Sequence, residues 1–294
     1  MNIIITIPAY NESNTIKKVL DDINKVMKTT KYKYKIMVVD DGSSDNTSEI
    51  AKSSGATVYK HSHNLGLAQT FKTELKKALE FSPDAIVHFD ADGQYLAADI
   101  PKLLEYIEKG YDLVLGSRFL GKIEYMPLIK KLGNKAFSKI ISKICNKRVT
   151  DSQTGFRCFT KDIAKNIEIT STYTYTQEQL IRALKKGYKV IEVPVYFAKR
   201  KDKSRLMKNP FHYAAKALIN LIRVYRDYEP LKFFCSIGLL LMSIGFIFGI
   251  YLIYLHFTTG ITGHIPLIIF TTLTLIVGLQ IVSFGFLADM LKKI

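Results

Sequence analysis

The chain has 294 residues, 48% of them hydrophobic, and carries 42 Lys and Arg against 26 Asp and Glu, a formal net charge of +16. This length allows one large domain or two, and the mean hydropathy of +0.07 is high for a soluble protein. The three cysteines have no CxxC spacing, which argues against a disulfide framework and a zinc site and fits a reducing cytoplasmic setting.

The positive charge is concentrated in the second half of the chain. Residues 1–118 carry 15 Lys and Arg against 16 Asp and Glu, whereas residues 119–226 carry 24 against 7. So basic a surface faces an anionic partner, either a nucleic acid or an anionic membrane. The sequence contains no recognised nucleic-acid-binding module, so we expect an anionic membrane and no nucleic acid.

The first part of the chain alternates predicted strands with predicted helices. Strands are expected at 2–7, 34–39, 56–60, 85–89 and 112–116, and the helices between and after them end near residues 28, 53, 81 and 109. Ser13 is expected to cap the first helix, and Ser44 or Asp45 the second. The alternation predicts an α/β fold with a mostly parallel, Rossmann-like sheet and right-handed crossovers.

Three of the predicted strands end in polar clusters: PAYNE after the first, DDGSSD after the second and DADGQ after the fourth. Parallel strands bring their carboxyl ends to one edge of the sheet, where open α/β proteins bind ligands. The chain lacks both the GxGxxG and the GxxxxGK[ST] phosphate loops, which disfavours a dehydrogenase or a P-loop enzyme. The pattern therefore predicts a nucleotide crevice in which a metal holds the phosphates.

The candidate metal ligands follow the fourth predicted strand. Asp90 and Asp92 share a side if the chain stays extended, and Gly93 lets the backbone turn so that Gln94 can join them. Oxygen ligands at this spacing suit Mg²⁺ or Mn²⁺, which bind one or two carboxylates and complete their shell with water and phosphate. The alternative is that these aspartates only form a turn and cap the next helix.

Two long apolar segments lie near the C-terminus. Residues 233–257 and 265–288 contain no Asp, Glu, Lys or Arg, and each exceeds the roughly 20 residues that cross a bilayer. Lys and Arg flank the pair and are missing from its linker, so both ends are expected in the cytoplasm. The sequence predicts a two-helix transmembrane hairpin over 231–294, a cytoplasmic domain over 1–230 and no signal peptide.

Two basic amphipathic segments, residues 127–148 and 210–228, precede the hairpin. The apolar residues expected on one side of the first segment are Leu128, Leu132, Ile140 and Ile144. Basic amphipathic helices beside a transmembrane segment lie in the headgroup layer, so we interpret both as interfacial helices. The alternative is that both pack against the core and leave their lysines in solvent.

Five motifs, PAYNE, VVDDGSSDNT, DADGQ, GSR and DSQTGFR, occur in this order and resemble those of the family 2 inverting glycosyltransferases with a GT-A fold. The most similar members are polyprenyl-phosphate hexosyltransferases of the dolichyl-phosphate mannose synthase type, some of which carry two C-terminal membrane helices. The resemblance implies transfer of one hexose from GDP-mannose or a UDP-hexose to a polyprenyl or dolichyl phosphate. Inversion, Mg²⁺ or Mn²⁺, and a cytoplasmic active site are implied with it.

The resemblance also implies site residues, position by position. Donor-nucleotide contacts are implied at Pro8, Ala9, Tyr10, Glu12, Asp41, Asp90, Ala91 and Asp92. Metal and diphosphate contacts are implied at Asp90, Asp92 and Gln94. Anion contacts are implied at Arg118, Arg157, Arg200, Ser204 and Arg205, although similar enzymes usually have Gly where this chain has Asp202. The catalytic set is Asp92, Arg118, Arg157 and Glu178, an acidic position that the family shares.

The acceptor determines the expected chemistry. A phosphate oxygen with a second pKa near 6 is largely anionic at neutral pH, so no strong general base is needed. Catalysis then reduces to positioning and electrostatic stabilisation. The cations expected to bind the acceptor phosphate are Arg118, Lys130 or Lys131, and Arg157.

Two other functions stay open. One is a membrane-bound family 2 glycosyltransferase that acts on a glycan or lipid hydroxyl. The other is an inactive nucleotide-sugar-binding membrane scaffold. A processive synthase is disfavoured, because similar enzymes carry a QxxRW motif and this chain has no Trp. The sugar, nucleotide, prenyl length and oligomeric state do not follow from the sequence, and a homo-oligomer is left open.

Two weaker pairs have two interpretations each. His61 and His63 could bind a metal but lack a third ligand, so a surface turn is favoured. Tyr173 and Tyr175 could line the acceptor or sugar site, or simply pack in the core.

Overall fold

The computed structural model of the chain describes residues 1–170, 175–199, 219, 222–260 and 264–291. The chain divides into two compact units, Met1–Ala214 and Ala215–Ile294. The boundary predicted between head and hairpin, near residue 230, lies within the second unit.

In its described part, the first unit contains one sheet of seven strands. The strands are β1 Asn2–Ala9, β2 Lys33–Asp40, β3 Thr57–Lys60, β4 Ala85–His88, β5 Leu113–Ser117, β6 Arg157–Thr160 and β7 Val190–Pro194. Their order across the sheet is β3-β2-β1-β4-β6-β5-β7. Every neighbouring pair is parallel except the two that involve β6, which runs antiparallel to β4 and to β5. The mostly parallel α/β sheet is therefore confirmed.

Helices cover both faces of this sheet. The described helices of the first unit are α1 Ile16–Met27, α2 Thr47–Ser53, α3 Leu67–Leu79, α4 Ile100–Glu108, α5 Leu128–Cys145, α6 Lys161–Asn166 and α7 Thr176–Lys185. One turn of 3₁₀ helix, Ala97–Asp99, precedes α4. The five predicted strands and the helices between them are all present, whereas β6 and β7 were not predicted.

The predicted cap of the first helix was wrong. Helix α1 begins at Ile16 with Thr15 in the cap position, and the Thr15 hydroxyl donates to Glu12 instead of capping the helix. The Ser13 N–H donates to Asp45, so the loops after β1 and β2 are joined at this point. In the second loop Asp45, not Ser44, accepts the N–H of Thr47 at the start of α2.

Alternation along β1 separates the two faces of the sheet. Ile3, Ile5 and Ile7 belong to the large core formed with α1 and α4, and all three are fully buried. Residues of opposite parity point to the other face, where Thr6 meets a side chain of α3. Burying each large aliphatic side chain contributes about 1.5–3 kcal/mol, so the apolar face supplies most of the stability that holds the strand ends in place.

The first basic amphipathic segment forms α5, as predicted, but the single apolar face does not exist. Ile144 is buried with Phe137 and Ile141, whereas Leu128 and Leu132 are 75% and 67% exposed. The helix turns by 100° per residue, so Leu128 and Ile144 lie on nearly opposite sides. Helix α5 therefore packs through its C-terminal half and exposes apolar side chains at its N-terminal end.

The second unit contains two long apolar helices, α8 Pro230–Thr259 and α9 Ile265–Met290. Both are long and apolar enough to cross a membrane, with a mean hydropathy of 2.3, and few of their residues are buried. They pack antiparallel through glycines: a Cβ on Gly238 would lie 2.6 Å from the carbonyl oxygen of Gly278. Small residues that let helix backbones approach are typical of membrane helix pairs. The second basic segment, 210–228, lies mostly outside the described residues, and 222–228 are helical.

Candidate active site

The carboxyl ends of β1, β2 and β4 meet at one edge of the sheet. Backbone N–H groups of Asn11 and Glu12, after β1, donate to the hydroxyls of Ser43 and Thr47, after β2. Asn11 has a φ of +54° and accepts the Ser44 N–H in return. Of the donor contacts implied after β1, Pro8 and Ala9 end the strand, Tyr10 is 40% exposed and the Glu12 carboxylate accepts from Thr15.

The two aspartates at the end of β2, Asp40 and Asp41, hold the loop that follows the strand. Asp40 accepts the Ser43 N–H and the Ser48 hydroxyl. Asp41 accepts the N–H groups of Leu65 and Gly66 at 2.8 and 2.9 Å, and its Oδ1 lies 2.8 Å from Nδ1 of His61. Asp41 thus joins the end of β2 to the loop before α3. His61 extends this link to α3, because its Nε2 lies 2.9 Å from the hydroxyl of Thr73.

Asp90, after β4, has a different environment. Its carboxylate accepts no hydrogen bond from the described residues, and its side chain is 35% exposed. A Cβ on Gly155 would lie 2.6 Å from both carboxylate oxygens, so the glycine backbone forms one wall against them. Burial, together with the negative charge of Asp92, raises the pKa of Asp90 to about 6. The carboxylate is thus held in a place that disfavours its charged form.

Asp92 and Gln94 are linked through the backbone. The Gln94 N–H donates to Asp92 Oδ1 at 3.1 Å, in the tight turn that Gly93 makes with a φ of +71°. The Gln94 side-chain amide donates to the carbonyl of Ala198 at 3.1 Å. The Gln94 carbonyl oxygen is then the side-chain atom that could act as a ligand beside the two carboxylates, and Ala91 between them is buried.

The donor set fits a divalent cation that is shared with a diphosphate. In the described part of the chain, no group of three or more His, Cys, Asp and Glu could hold a metal ion by itself. Mg²⁺ and Mn²⁺ sites of two carboxylates, completed by substrate phosphates, need no such group. The raised pKa of Asp90 supports the same assignment, because a bound cation would relieve the cost of its charge.

The family comparison gives a direct result. The family model described as glycosyl transferase family 2 matches residues 4–168, more than half of the chain. The chain belongs to glycosyl transferase family 2. The matched part of this family 2 chain runs from β1 through the end of α6, so it contains both acidic pairs and two of the implied arginines.

Named relatives and a solved structure extend this result. A dolichyl-phosphate hexose transferase of Haloferax volcanii is 32% identical over 222 residues, which are 75% of this chain and 92% of the relative. A UDP-N-acetylglucosamine–dolichyl-phosphate N-acetylglucosaminyltransferase of Methanococcus voltae is 36% identical over 217 residues, 66% of this chain and 84% of the relative.

Glucosyl-3-phosphoglycerate synthase from Mycobacterium tuberculosis, solved with Mn²⁺, UDP and glucosyl-3-phosphoglycerate, aligns with a TM-score of 0.57. The identity is 18%, and the alignment covers 75% of this chain and 79% of that one. At this identity the likeness concerns the fold, and the GT-A fold expected of this family 2 chain is confirmed.

The first implied arginine lies beside Asp90 but is already paired. Arg118 donates from Nε and Nη2 to the two oxygens of Asp151, at 2.7 Å each, and both residues are buried. Asp151 is fixed in turn because the backbone N–H groups of Thr150 and Asp151 donate to Glu192. Arg118 is therefore held rigidly, and its charge lowers the pKa of Asp90 against the larger effect of burial.

The second implied arginine is enclosed completely. Arg157 is 0% exposed and donates to Gln179 Oε1 and to the carbonyls of Thr176 and Thr154. Its guanidinium lies over the ring of Tyr175, and burial lowers its pKa. Tyr175 stacks on Phe71 with ring centroids 3.8 Å apart, so of its two predicted roles the structure favours packing; Tyr173 lies outside the described residues.

The remaining implied residues lie in three places. Glu178, in the first turn of α7, accepts from Arg182 and from the N–H and hydroxyl of Thr170. Lys130 and Lys131 are in the first turn of α5. Arg200, Ser204 and Arg205 fall outside the described residues, as does Asp202.

Two residues near Asp90 were missed by the sequence reasoning, Glu74 and His88. His88 is the last residue of β4 and precedes Asp90 by two positions, and its Nε2 lies 3.7 Å from Asp90 Oδ1. Glu74 occupies a buried position of α3, whose other buried residues recur at helical spacing, and it is 0% exposed. A glutamate at a core position of an amphipathic helix was the signal that could have identified it.

Proposed function

We propose that this family 2 glycosyltransferase transfers one hexose from a nucleotide-diphosphate sugar to a polyprenyl or dolichyl monophosphate, with inversion and with Mg²⁺ or Mn²⁺. The names of the Haloferax and Methanococcus relatives support the acceptor class. The two relatives differ in the sugar they are named for, so the hexose and its nucleotide stay open between UDP and GDP donors.

The observation that carries the proposal is the environment of Asp90. Its carboxylate lies beside Asp92 at the end of β4 without a hydrogen bond from the described protein. Burial and the charge of Asp92 disfavour the charged form of this carboxylate more than His88 and Arg118 favour it, so its position is best explained by a ligand that the folded chain is built to receive. A divalent cation with the donor diphosphate supplies the missing positive charge.

In the proposed reaction the chain acts by positioning. A bound Mg²⁺ or Mn²⁺ would stabilise the charge that develops on the departing diphosphate. Asp90 and Asp92 hold that cation, with the Gln94 carbonyl beside them, while the loops after β1 and β2 bind the nucleoside with Asp41 at their base. The acceptor oxygen is already anionic, so an in-line attack on the anomeric carbon needs no general base and inverts that carbon.

Cations would hold the acceptor phosphate. Arg118 is the best placed of the described arginines, because it is rigid and lies close enough to Asp90 to affect its pKa. Lys130 and Lys131, together with Arg200, Ser204 and Arg205, remain proposals for the same phosphate. Arg157 is fully buried and cannot contact the phosphate, so we propose that its positive charge attracts the phosphate at a distance. Glu178, which accepts from Arg182, would orient the neighbouring basic side chains.

The membrane supplies the acceptor in this proposal. Helices α8 and α9 form the transmembrane hairpin, and the exposed Leu128 and Leu132 of α5, with Lys130 and Lys131 beside them, enter the headgroup layer of an anionic leaflet. Both chain ends and the catalytic unit are then cytoplasmic. Protease digestion of sealed inside-out vesicles should remove the family 2 unit, whereas right-side-out vesicles should protect it.

One assay tests the activity. Membranes with the overexpressed chain are incubated with labelled UDP and GDP sugars, a short polyprenyl phosphate and Mg²⁺ or Mn²⁺, and the lipid is then extracted. We expect one donor to label a lipid that mild acid cleaves, and NMR of this product to show the inverted anomer. Label in a base-stable glycan or glycolipid would favour the hydroxyl acceptor, and donor binding without turnover would favour the scaffold.

A further inference from the structure

Three buried side-chain atoms in the described protein have no hydrogen-bond partner: Glu74 Oε1, His88 Nε2 and Arg157 Nε. All three residues belong to one cluster. His88 contacts the ring of Tyr175 with centroids 5.0 Å apart, Arg157 lies over the same ring, and Glu74 lies 2.6 Å from His88. Unsatisfied buried atoms are rare and costly, so their concentration in one place requires an explanation.

The sheet register places this cluster. Thr6 on β1 is the register partner of His88 on β4, and His88 is the partner of Arg157 on β6. Three polar residues therefore cross the centre of the sheet in one row, and each is 0% exposed. Apolar residues in such a row would cost nothing in lost hydration, so the row does not serve stability.

The contacts within the row lead towards Asp90. Glu74 Oε2 accepts the Thr6 hydroxyl at 3.0 Å and lies 2.6 Å from His88 Nδ1. The opposite nitrogen, His88 Nε2, lies 3.7 Å from Asp90 Oδ1. Phe71 and Tyr175 both meet the imidazole edge to face, at 5.4 and 5.0 Å between centroids. Glu74 and the two aromatic rings thus fix the imidazole with one nitrogen directed at Asp90.

We propose that His88, oriented by Glu74, is a positioning residue for Asp90: its Nε2 fixes which carboxylate oxygen faces the divalent cation. This inference rests on the metal role assigned to Asp90 in the proposed function. Carboxylate ligands of metals are commonly held by outer hydrogen bonds, and losing such a partner weakens metal affinity by about 10–100-fold. A rotation of the Asp90 side chain that brings Oδ1 nearer to Nε2 would make the bond.

Two amide substitutions separate this role from simple core packing. In His88→Gln the amide nitrogen takes the place of Nε2 and is directed at Asp90 in the same way. In His88→Asn it takes the place of Nδ1 and keeps only the contact with Glu74. Mn²⁺ is titrated into the detergent-purified full chain in the presence of UDP or GDP, which supplies the diphosphate oxygens, and free Mn²⁺ is followed by EPR against a blank that contains the nucleotide without the protein. We expect His88→Asn to weaken Mn²⁺ binding by about 10–100-fold and His88→Gln to stay within about threefold of the unmodified chain.

Two controls accompany the pair. Ser138→Ala removes a buried hydroxyl of α5 that bonds to Ser152, and it should lower the thermal midpoint without changing Mn²⁺ affinity. Asp92→Ala should abolish Mn²⁺ binding. Thermal melts of every variant show that each one is folded, and the Gln and Asn variants should have similar midpoints.

The outcomes distinguish this inference from the proposed function. If Asp92→Ala loses Mn²⁺ while both His88 variants bind it like the unmodified chain, the positioning role is wrong and the metal role stands. Equal weakening by Gln and Asn also overturns the positioning role, because the donor to Asp90 would then not matter. If Asp92→Ala binds Mn²⁺ normally, the metal role fails, and this inference fails with it.

Discussion

Strands β2 and β4 both end in a pair of aspartates, and the two pairs have opposite environments. The carboxylate of Asp41 accepts two backbone N–H groups and contacts His61, whereas that of Asp90 accepts no hydrogen bond from the described residues. Asp41 is buried, the side chain of Asp90 is 35% exposed, and both residues lie at the same edge of the sheet. The first pair holds together the loops after β1 and β2, and the second is the pair that we propose to bind the divalent cation.

The largest expected effect comes from removing either aspartate of the pair that we propose to bind the cation. Asp92→Ala or Asp90→Ala should lower lipid-linked sugar transfer by about 10³-fold, because the charge on the leaving diphosphate would lose several kcal/mol of stabilisation. The chain should stay folded and membrane-bound, as judged by its thermal midpoint and by flotation with lipid. Transfer within tenfold of the unmodified rate would end the metal assignment.

A substitution at Gly155, whose backbone lies against the Asp90 carboxylate, should give the next largest loss of transfer. In Gly155→Ala the new Cβ would lie 2.6 Å from both Asp90 oxygens, so the carboxylate must move. A displacement of about 1 Å costs on the order of 10²-fold in rate, and we expect a 10- to 100-fold loss of transfer. Gly133→Ala, on α5 with open space around it, is the matched control and should leave the rate unchanged. Equal rates for the two variants would contradict the assigned geometry.

The comparison also shows how far sequence reasoning reaches. The apolar runs and their polar ends predicted β1, β2, β4 and the common edge, because parallel strands leave few alternatives. The sequence predicted a ligand contact for both Asp41 and Asp90, and it could not show that only Asp41 is held by hydrogen bonds from another loop, since both follow a strand in a short acidic turn. Their difference arises from remote segments: the loop at residues 61–66 for Asp41 and Gly155 for Asp90.

Other features depended on tertiary contacts in the same way. Strand β6 has only four residues and joins the sheet antiparallel between β4 and β5. It is not a step of the β–α alternation from which strands β1 to β5 were predicted. The exposed N-terminal end of α5 was mistaken for part of a continuous face, because its apolar residues change sides along the helix. Glu74 contacts His88 only because α3 packs on β1 and β4 at the point where Thr6 and His88 are neighbours in the sheet.

One substitution on the pair at the end of β2 should lower stability. Asp41→Asn replaces one accepting oxygen with an NH₂ group, which would face the N–H of Leu65 or Gly66 and lose that bond. Leaving a buried group unsatisfied costs about 1–3 kcal/mol, and each kcal/mol lowers the midpoint by about 2–4 °C in a unit of this size. Scanning fluorimetry of the detergent-purified chain measures this loss, and an unchanged midpoint would show that Asp41 does not hold the loop.

Asp90→Asn, the same substitution on the pair after β4, should raise the thermal midpoint, and this is the smallest of the expected effects. The pKa of Asp90, about 6 against an ordinary 3.8, means that the folded chain disfavours the charged form, so neutral Asn should raise the midpoint at pH 7.5 without metal. We expect about 2 °C, because partial exposure screens the charge. The gain should shrink as the pH falls through 6 towards 4, where Asp90 takes up its proton. Thermal melts at pH 7.5 and 5.0 in EDTA measure the gain in midpoint and its dependence on pH. A midpoint that falls, or a gain that does not depend on pH, would mean that the folded chain stabilises the Asp90 carboxylate as well as it stabilises that of Asp41.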